Sequence, residues 1–144
     1  MPNASAPSST TGNRTIDVVA AIIEDDARVL VTRRLAGAHL EGLWEFPGGK
    51  VQSGEPHEVA LRREIREELD AEIDVHELVL ATTHHYPDRS VALSFYRCTL
   101  KSGVHAVLGQ EMQWALPETL PALAFPPADA ELIELLARRR AGRP

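Results

Sequence analysis

Glu64, Glu67 and Glu68 are spaced at i, i+3 and i+4 in the segment GKVQSGEPHEVALRREIREELDA, residues 49 to 71. At 100° per residue they fall within an arc of roughly 100° on one side of a helix. Leu61, Ile65 and Leu69 occupy the neighbouring stripe, so the helix can bury one edge while presenting three carboxylates together. Three acids in that geometry repel one another, and hard divalent cations remove the cost because they take oxygen ligands. Magnesium binds a few carboxylates while keeping water and substrate phosphate in its remaining positions. The plainer reading is an exposed acidic face whose charges pair locally with Arg62, Arg63 and Arg66. For a bare EIREE on a helix, that reading is favoured.

The elements that must hold this helix can be read around it. Ile16 to Ile23 is apolar and β-branched, and Arg28 to Thr32 follows after the polar stretch Glu24-Asp25-Asp26, which predicts two strands joined by a turn. Gly37 to Gly54 holds five of the nine glycines plus Pro47, marking loop structure around a short strand at Leu43 to Phe46. The helix spans Pro56 to Leu69, with its proline in the first turn. Ile73 to Tyr86 reads as a strand with a possible interruption, and Pro87-Asp88-Arg89-Ser90 turns the chain into a strand at Val91 to Leu100. Met112 to Ala115 adds a short strand. Ala130 to Arg140 is a helix with Leu132, Ile133, Leu135 and Leu136 inward and three terminal arginines complementing its dipole. Strands mixed with two helices predict an α/β (α+β) fold in which helices cover a mixed sheet.

Composition narrows the chemistry. A chain of 144 residues fits one domain, assigned to residues 15–140 between a tail at 1–14 and another at 141–144. The formal net charge of −6 gives no overall attraction for a polyanion, and no basic stripe with interleaved aromatics is present. A stable nucleic-acid complex is therefore not expected, and a phosphate-bearing substrate needs local cations or bound metal. Cys98 is the only cysteine, which suits a reducing compartment, and no apolar run reaches membrane-spanning length. Met1 to Asn13 lacks a basic region followed by an apolar one and reads as a disordered tail. A cytoplasmic location without a membrane partner follows. Both a monomer and a homodimer are compatible with the sequence.

The spacing around the acids changes the odds on the helix. Gly49 is followed by five residues and Glu55, then seven residues and Arg63-Glu64, then Ile65, one residue, and Glu67-Glu68. This resembles the Nudix box at every defining position but one, Asp70 standing where the family has Gly. Glycine there ends the helix in a left-handed conformation, which Asp tolerates at a modest cost. The segment GLWEFPGGK at 42–50 is similar to the MutT-type subgroup, and the likeness extends through most of residues 16 to 137, including FPPAD at 125–129.

The resemblance implies a Nudix fold, an α/β/α sandwich, and magnesium-dependent hydrolysis of a nucleoside triphosphate to monophosphate and pyrophosphate, with manganese as a possible substitute. It implies that Gly48 offers its carbonyl to metal, that Glu64, Glu67 and Glu68 are ligands, and that Glu55 and Arg63 position them. Lys50 then contacts phosphate as a flexible point charge. The family often has a further Glu two residues before a Gln in a later loop; Leu108 precedes Gln110 here, and Glu111 is the nearest acid, out of register. Arg34, Phe46, Tyr86, Asp88 and Arg89 sit where the subgroup contacts nucleotide, although YPDR also reads as a plain β-turn.

Asp129 follows FPPA, where oxidised-guanine enzymes of the subgroup are associated with Asn. Asn donates and accepts together, whereas ionised Asp only accepts, which suits the amine of cytosine or the N–H edge of guanine. A dry pocket that keeps Asp129 protonated restores a donor. The structural alternative is a helix N-cap. Three functions remain: sanitation of 8-oxo-dGTP-type nucleotides, hydrolysis of CTP or methylated cytidine nucleotides, and a non-catalytic nucleotide-binding module, the last disfavoured by retention of all three acids. His84 and His85 face opposite sides of a strand and make a poor metal pair. Trp44, Trp114 and Cys98 read as packing residues.

Overall fold

A computed structural model describes residues 14–141. Its central strand, β1 (Arg14–Asp25), has Val19, Ala21 and Ile23 buried on one face and Ala20 and Ile22 on the other. A strand covered on both faces explains the unbroken apolar run. Along one edge β1 pairs in parallel with β6 (Arg89–Leu100), from Arg14↔Arg89 to Ile23↔Cys98. It also pairs antiparallel with β4 (Gly48–Lys50) at Val18, Val19 and Ala20, and with β2 (Arg28–Arg33) at its C-terminal end.

The β1–β2 turn is made by Asp26 and Ala27, both at positive φ (51° and 65°), as a twisted two-residue hairpin needs. β2 continues the sheet to β3 (Trp44–Glu45) and β7 (Met112–Ala115). β5 (Ile73–Tyr86) pairs with β6 through a turn at Pro87-Asp88, and the expected interruption takes the form of register shifts around Leu78.

Two helices cover the sheet. The carboxylate helix α1 (His57–Leu69) buries Ala60, Leu61, Ile65 and Leu69 against Val19, Ala21, Ile23, Leu30 and Cys98. Helix α2 (Ala130–Ala141) buries Leu132, Ile133 and Leu136 against Ala20, Ile22, Phe46 and Phe95 on the opposite face. The result is the expected α/β/α sandwich around a mixed sheet.

Several boundaries differ from the sequence reading. Arg14 belongs to β1 and Ala141 to α2, so neither lies in a tail. The loop 37–54 carries two short strands rather than one, because Gly48 and Gly49 let that backbone lie directly on β1. Two 3₁₀ segments, Pro117–Ala122 and Pro127–Asp129, went unpredicted since their prolines and short length leave no periodicity. The proposed tail Met1–Asn13 lies outside the described residues. Among the described residues no helix is long and apolar enough to cross a membrane.

Asp70 ends α1 in the left-handed conformation (φ 49°, ψ 44°), its N–H donating to the Arg66 carbonyl at 3.0 Å. The helix terminus thus keeps the geometry of a glycine cap while carrying a Cβ. Its contact with His105, 3.8 Å between two exposed side chains, contributes little in return. Asp70→Gly should raise unfolding stability by about 0.5–1 kcal/mol. Urea denaturation checks this: the midpoint rises at constant m-value, and an unchanged or lower midpoint contradicts it.

Candidate active site

The site is built where β4 meets α1. A Cβ on Gly48 would lie 2.1 Å from the Val19 carbonyl oxygen, and one on Gly49 would lie 2.3 Å from the carboxyl carbon of Glu64. Both positions exclude any side chain, the first because the strands touch and the second because the Glu64 carboxylate fills the space.

Arg63 organises the acids. Its Nε and Nη2 grip Glu55 at 2.9 Å each, Nη1 donates to Glu64 at 2.8 Å, and Nη2 also reaches the Lys50 carbonyl at 3.1 Å. The guanidinium and the Gln52 backbone hold Glu55 down to about 2, and the same pairs raise Arg63 further. Such a fork fixes both partners in a way lysine cannot. Glu55 and Arg63 are thereby braces for Glu64.

Glu68 lies beside Glu64, hydrogen-bonded to it and to the Gly48 N–H; burial first, then the charges of Glu64 and Glu45, push it up to about 8. Two carboxyl groups side by side offer oxygens that one cation can serve. Glu67 stands apart, its side chain 60 % exposed and 3.6 Å from Arg63 Nη1. Accordingly, no three acidic, His or Cys side chains among the described residues already form a metal cage. The structure joins two of the three expected ligands and leaves the third at the rim. The donor set is nevertheless all oxygen, anionic and backed by glycine backbone, which fits a small hard cation.

The acid pair opens into a cleft of about 190 Å³ bounded by Thr32, Arg33, Arg34, Leu35, Ala38, Glu45, Gly48, Glu68, Leu108 and Gln110. Arg34 is present as expected, but it pairs with Glu45 at 2.7 Å and with the His39 carbonyl. Leu108 sits on the lip, 59 % exposed. Gln110 is buried and ties that lip to α1, accepting from the Leu108 N–H (2.9 Å) and donating to the Glu68 carbonyl (3.0 Å). Lys50 is exposed at the end of β4.

Glu111 is not brought to the cluster: it faces Arg33 at 3.3 Å with its side chain 60 % exposed, the consequence of falling one residue after Gln110. Phe46 is also withdrawn from any surface contact, packed in the core between Phe95 and Phe125. Tyr86, Asp88 and Arg89 form the tip of the β5–β6 hairpin, with Arg89 5.8 Å over the Tyr86 ring, outside the walls of the cleft. Register places Tyr86 and Arg89 on the same sheet face as Val91, Leu93 and Phe95, the face that Asp129 approaches with α2. Asp129 is buried at the end of its 3₁₀ turn, whose N-cap is Pro126, and burial followed by the charge of Glu45 pushes it up to about 7.

The residue missed by the sequence reading is Glu45. Trp44 and Phe46 are buried in the α2-side core, so the residue between them must face elsewhere, and alternation alone places it toward Glu68. Burial raises it against the opposing pull of Arg34, and its charge acts on both Glu68 and Asp129.

A mixed sheet between two helices, with a glycine strand against a helix that carries paired glutamates, is the arrangement of the Nudix hydrolases. The NUDIX domain family matches residues 18–135, and the chain belongs to the Nudix family. It is 39 % identical over 134 residues to the CTP pyrophosphohydrolase of Escherichia coli K12, covering 90 % of this chain and 96 % of that protein. With the 8-oxo-dGTP diphosphatase of Haemophilus influenzae it shares 37 % identity over 123 residues, 84 % and 90 % of the two chains. The solution structure of the E. coli ORF135 protein superposes with a TM-score of 0.81 at 38 % identity, covering 92 % of this chain and 95 % of that one. Nudix hydrolases generally need divalent metal ions.

The acid pair makes stability depend on pH. Glu68 holds its proton to about 8 in the fold, whereas an unfolded glutamate releases it near 4.3. Its contribution is complete below about 4.3 and is lost as pH rises toward 8. Asp129 acts in the same sense up to about 7, while Glu55 acts oppositely, its contribution failing as pH falls toward 2. Metal-free protein should therefore melt lower at pH 8 than at pH 6, by about 2–4 °C for each kcal/mol lost. Added magnesium should raise Tm more at pH 8 than at pH 6. Scanning calorimetry measures both, and equal magnesium effects at the two pH values refute the account.

Proposed function

We propose that this protein is a magnesium-dependent hydrolase that converts nucleoside triphosphates to the monophosphate and pyrophosphate, acting in the cytoplasm to remove 8-oxo-dGTP-type nucleotides. The observation that carries this reading is the Glu64–Glu68 pair held against Gly48 and Gly49, with Glu68 and Gly48 lining a cleft beside it. The names of two relatives, an 8-oxo-dGTP diphosphatase and a CTP pyrophosphohydrolase, point to the same reaction.

Glu64, Glu68 and the rim residue Glu67 would hold the metal, with the Gly48 carbonyl a further oxygen ligand. Magnesium held there would supply charge neutralisation on the phosphates and a more acidic water. In the reaction water attacks the β-phosphorus and gives up a proton to solvent, the β-phosphorus bond to the oxygen bridging α and β breaks, and the nucleoside monophosphate leaves as pyrophosphate forms. Arg63 and Glu55 keep Glu64 in place during this step, and Lys50 meets a phosphate oxygen from the end of β4. Arg34 would meet the nucleotide from the wall of the cleft, while Tyr86, Asp88 and Arg89, outside that wall, would reach it only from the hairpin tip.

A second reading rests on Asp129. A buried acid that titrates near neutrality offers an acceptor when ionised, suited to the amine of cytosine, and a donor when protonated, suited to an oxidised guanine. Hydrolysis of CTP or methylated cytidine nucleotides is therefore the alternative. A binding module without turnover has no use for an acid pair maintained against its own repulsion.

Incubation with magnesium and a panel of canonical, oxidised and methylated triphosphates should yield monophosphate and pyrophosphate. Glu67→Gln should lower kcat/KM by about 10²–10³-fold. Saturable binding without products would leave only the module. Asp129→Asn should shift the ratio of kcat/KM values toward 8-oxo-dGTP over CTP by about tenfold; a ratio unmoved across the panel removes Asp129 from base selection.

A further inference from the structure

Helix α1 begins without the usual device. Its N-cap is Pro56, which makes no side-chain capping hydrogen bond. The first helical residue, His57, instead reaches across to the sheet. Its Nδ1 lies 2.8 Å from the Tyr96 hydroxyl on β6, and its Nε2 lies 3.1 Å from Asp17 Oδ2 on β1. With a neutral ring all three groups are matched: the Tyr96 O–H donates to Nδ1, and Nε2–H donates to Asp17. The rings of His57 and Tyr96 meet edge to face at 5.9 Å.

The arrangement has the outline of a nucleophile–base–acid triad, and its chemistry rules that role out. Burial and the nearby Asp17 raise the Tyr96 hydroxyl, the opposite of activation. What remains is a directional clamp between the helix and two strands.

Asp17 connects the clamp to the site. Its carbonyl accepts the Val51 N–H at 2.9 Å, and the next residue, Val18, pairs with Lys50. One residue of β1 thus holds β4 through its backbone and α1 through its side chain. The tolerance between those two elements is small, because the Glu64 carboxylate occupies the space where Gly49 would carry a Cβ. The far end of α1 has its own anchors, since the His105 and Val107 N–H groups and the Gln110 amide donate to the Leu69 and Glu68 carbonyls. Apolar packing along the middle resists lifting of the helix, but it resists a small slide along the axis less well than directional hydrogen bonds do.

We propose that His57 is a positioning residue which, through Asp17 and Tyr96, sets the placement of Glu64 and Glu68 against Gly48 and Gly49 and thereby the affinity of the site for magnesium. The inference rests on the metal-dependent reading above and adds to it a residue outside the acid cluster. Glutamine can replace the ring, since its amide donates to Asp17 and its carbonyl accepts from Tyr96. Alanine cannot.

Magnesium binding by the full chain, measured by titration calorimetry without nucleotide, tests the proposal on wild type, His57→Ala, His57→Gln and Asp17→Ala, with melting temperatures and steady-state kinetics alongside. His57→Ala should weaken magnesium binding about tenfold, a typical cost of losing a group that orients metal ligands, and His57→Gln should return to within about threefold of wild type. At saturating magnesium, kcat should recover while KM stays near the wild-type value. If His57→Ala does not fold, the comparison passes to Asp17→Ala, which removes the acceptor for Nε2–H and where a weakening of about threefold or more is expected. A folded His57→Ala or Asp17→Ala protein that binds magnesium like wild type overturns the proposal, even if it melts at a lower temperature. So does a folded His57→Gln protein as weak as His57→Ala. Wild-type binding of magnesium without nucleotide hydrolysis would overturn the hydrolase reading while the calorimetric comparison still judged His57; wild type without magnesium affinity would overturn both.

Discussion

The burial of Glu68 beside Glu64 is the constraint around which the rest of the structure is arranged. Burial first, and then the charges of Glu64 and Glu45, make Glu68 keep its proton far above the normal carboxylate range. A fold that left either group free to swing into water would relieve the strain and lose the site. Glu64 is prevented from doing so by Arg63, itself fixed through Glu55, and by the backbone of Gly49, against which its carboxylate packs. Glu68 receives the Gly48 N–H, and its own carbonyl anchors the Leu108 lip of the cleft through Gln110. The glycines are therefore part of the acid site: the missing side chain of Gly49 is the room that the Glu64 carboxylate fills, and that of Gly48 lets β4 lie against β1.

The sandwich serves this one joint. β1 is buried on both faces, so it can carry β4 along one edge while α1 packs across one face and α2 across the other. Hydrophobic burial accounts for the stability of the layers. It does not account for the close seating of α1 on β4, which depends on directional contacts at the helix ends. Charge-assisted hydrogen bonds from Arg63 and the His57 contacts to β1 and β6 supply direction near the first turns, and the loop after β6 supplies it at the last.

Much of this was legible because α1 and its flanks obey local rules. The glutamate spacing, the apolar stripe and the run from Gly49 to Asp70 all reside in one continuous segment, and Asp70 adopts the left-handed turn that its position requires. What sequence could not place depends on contacts between distant segments. That Glu67 leans to Arg63 while Glu64 and Glu68 pair is a matter of rotamers on a helix whose geometry permits all three to converge. Glu111 looked available because only its offset from Gln110 was visible, whereas Arg33, 78 positions away, takes its carboxylate. Phe46 was read as a ligand contact because its motif is rich in functional positions, yet Phe95 and Phe125 enclose it. Glu45 and His57 carry no spacing that marks them as functional, and each acquires meaning from partners distant in sequence: Glu68 and Asp129 for Glu45, Asp17 and Tyr96 for His57.

Glu45 also links the acid pair to Asp129, the residue proposed to read the base. Its carboxylate is within electrostatic reach of Glu68 on one side and Asp129 on the other, and it raises both. Arg34 offsets part of that charge through its 2.7 Å contact, so any ligand phosphate that draws Arg34 away leaves Glu45 more exposed to its acidic neighbours. A cation seated on Glu64 and Glu68 acts in the opposite sense, lowering the cost of negative charge nearby. On the proposed function, the donor or acceptor character of Asp129 would therefore depend in part on what occupies the acid pair. Base selection would then not belong to Asp129 in isolation, since the charge of Glu45 acts on Asp129 and on Glu68 alike.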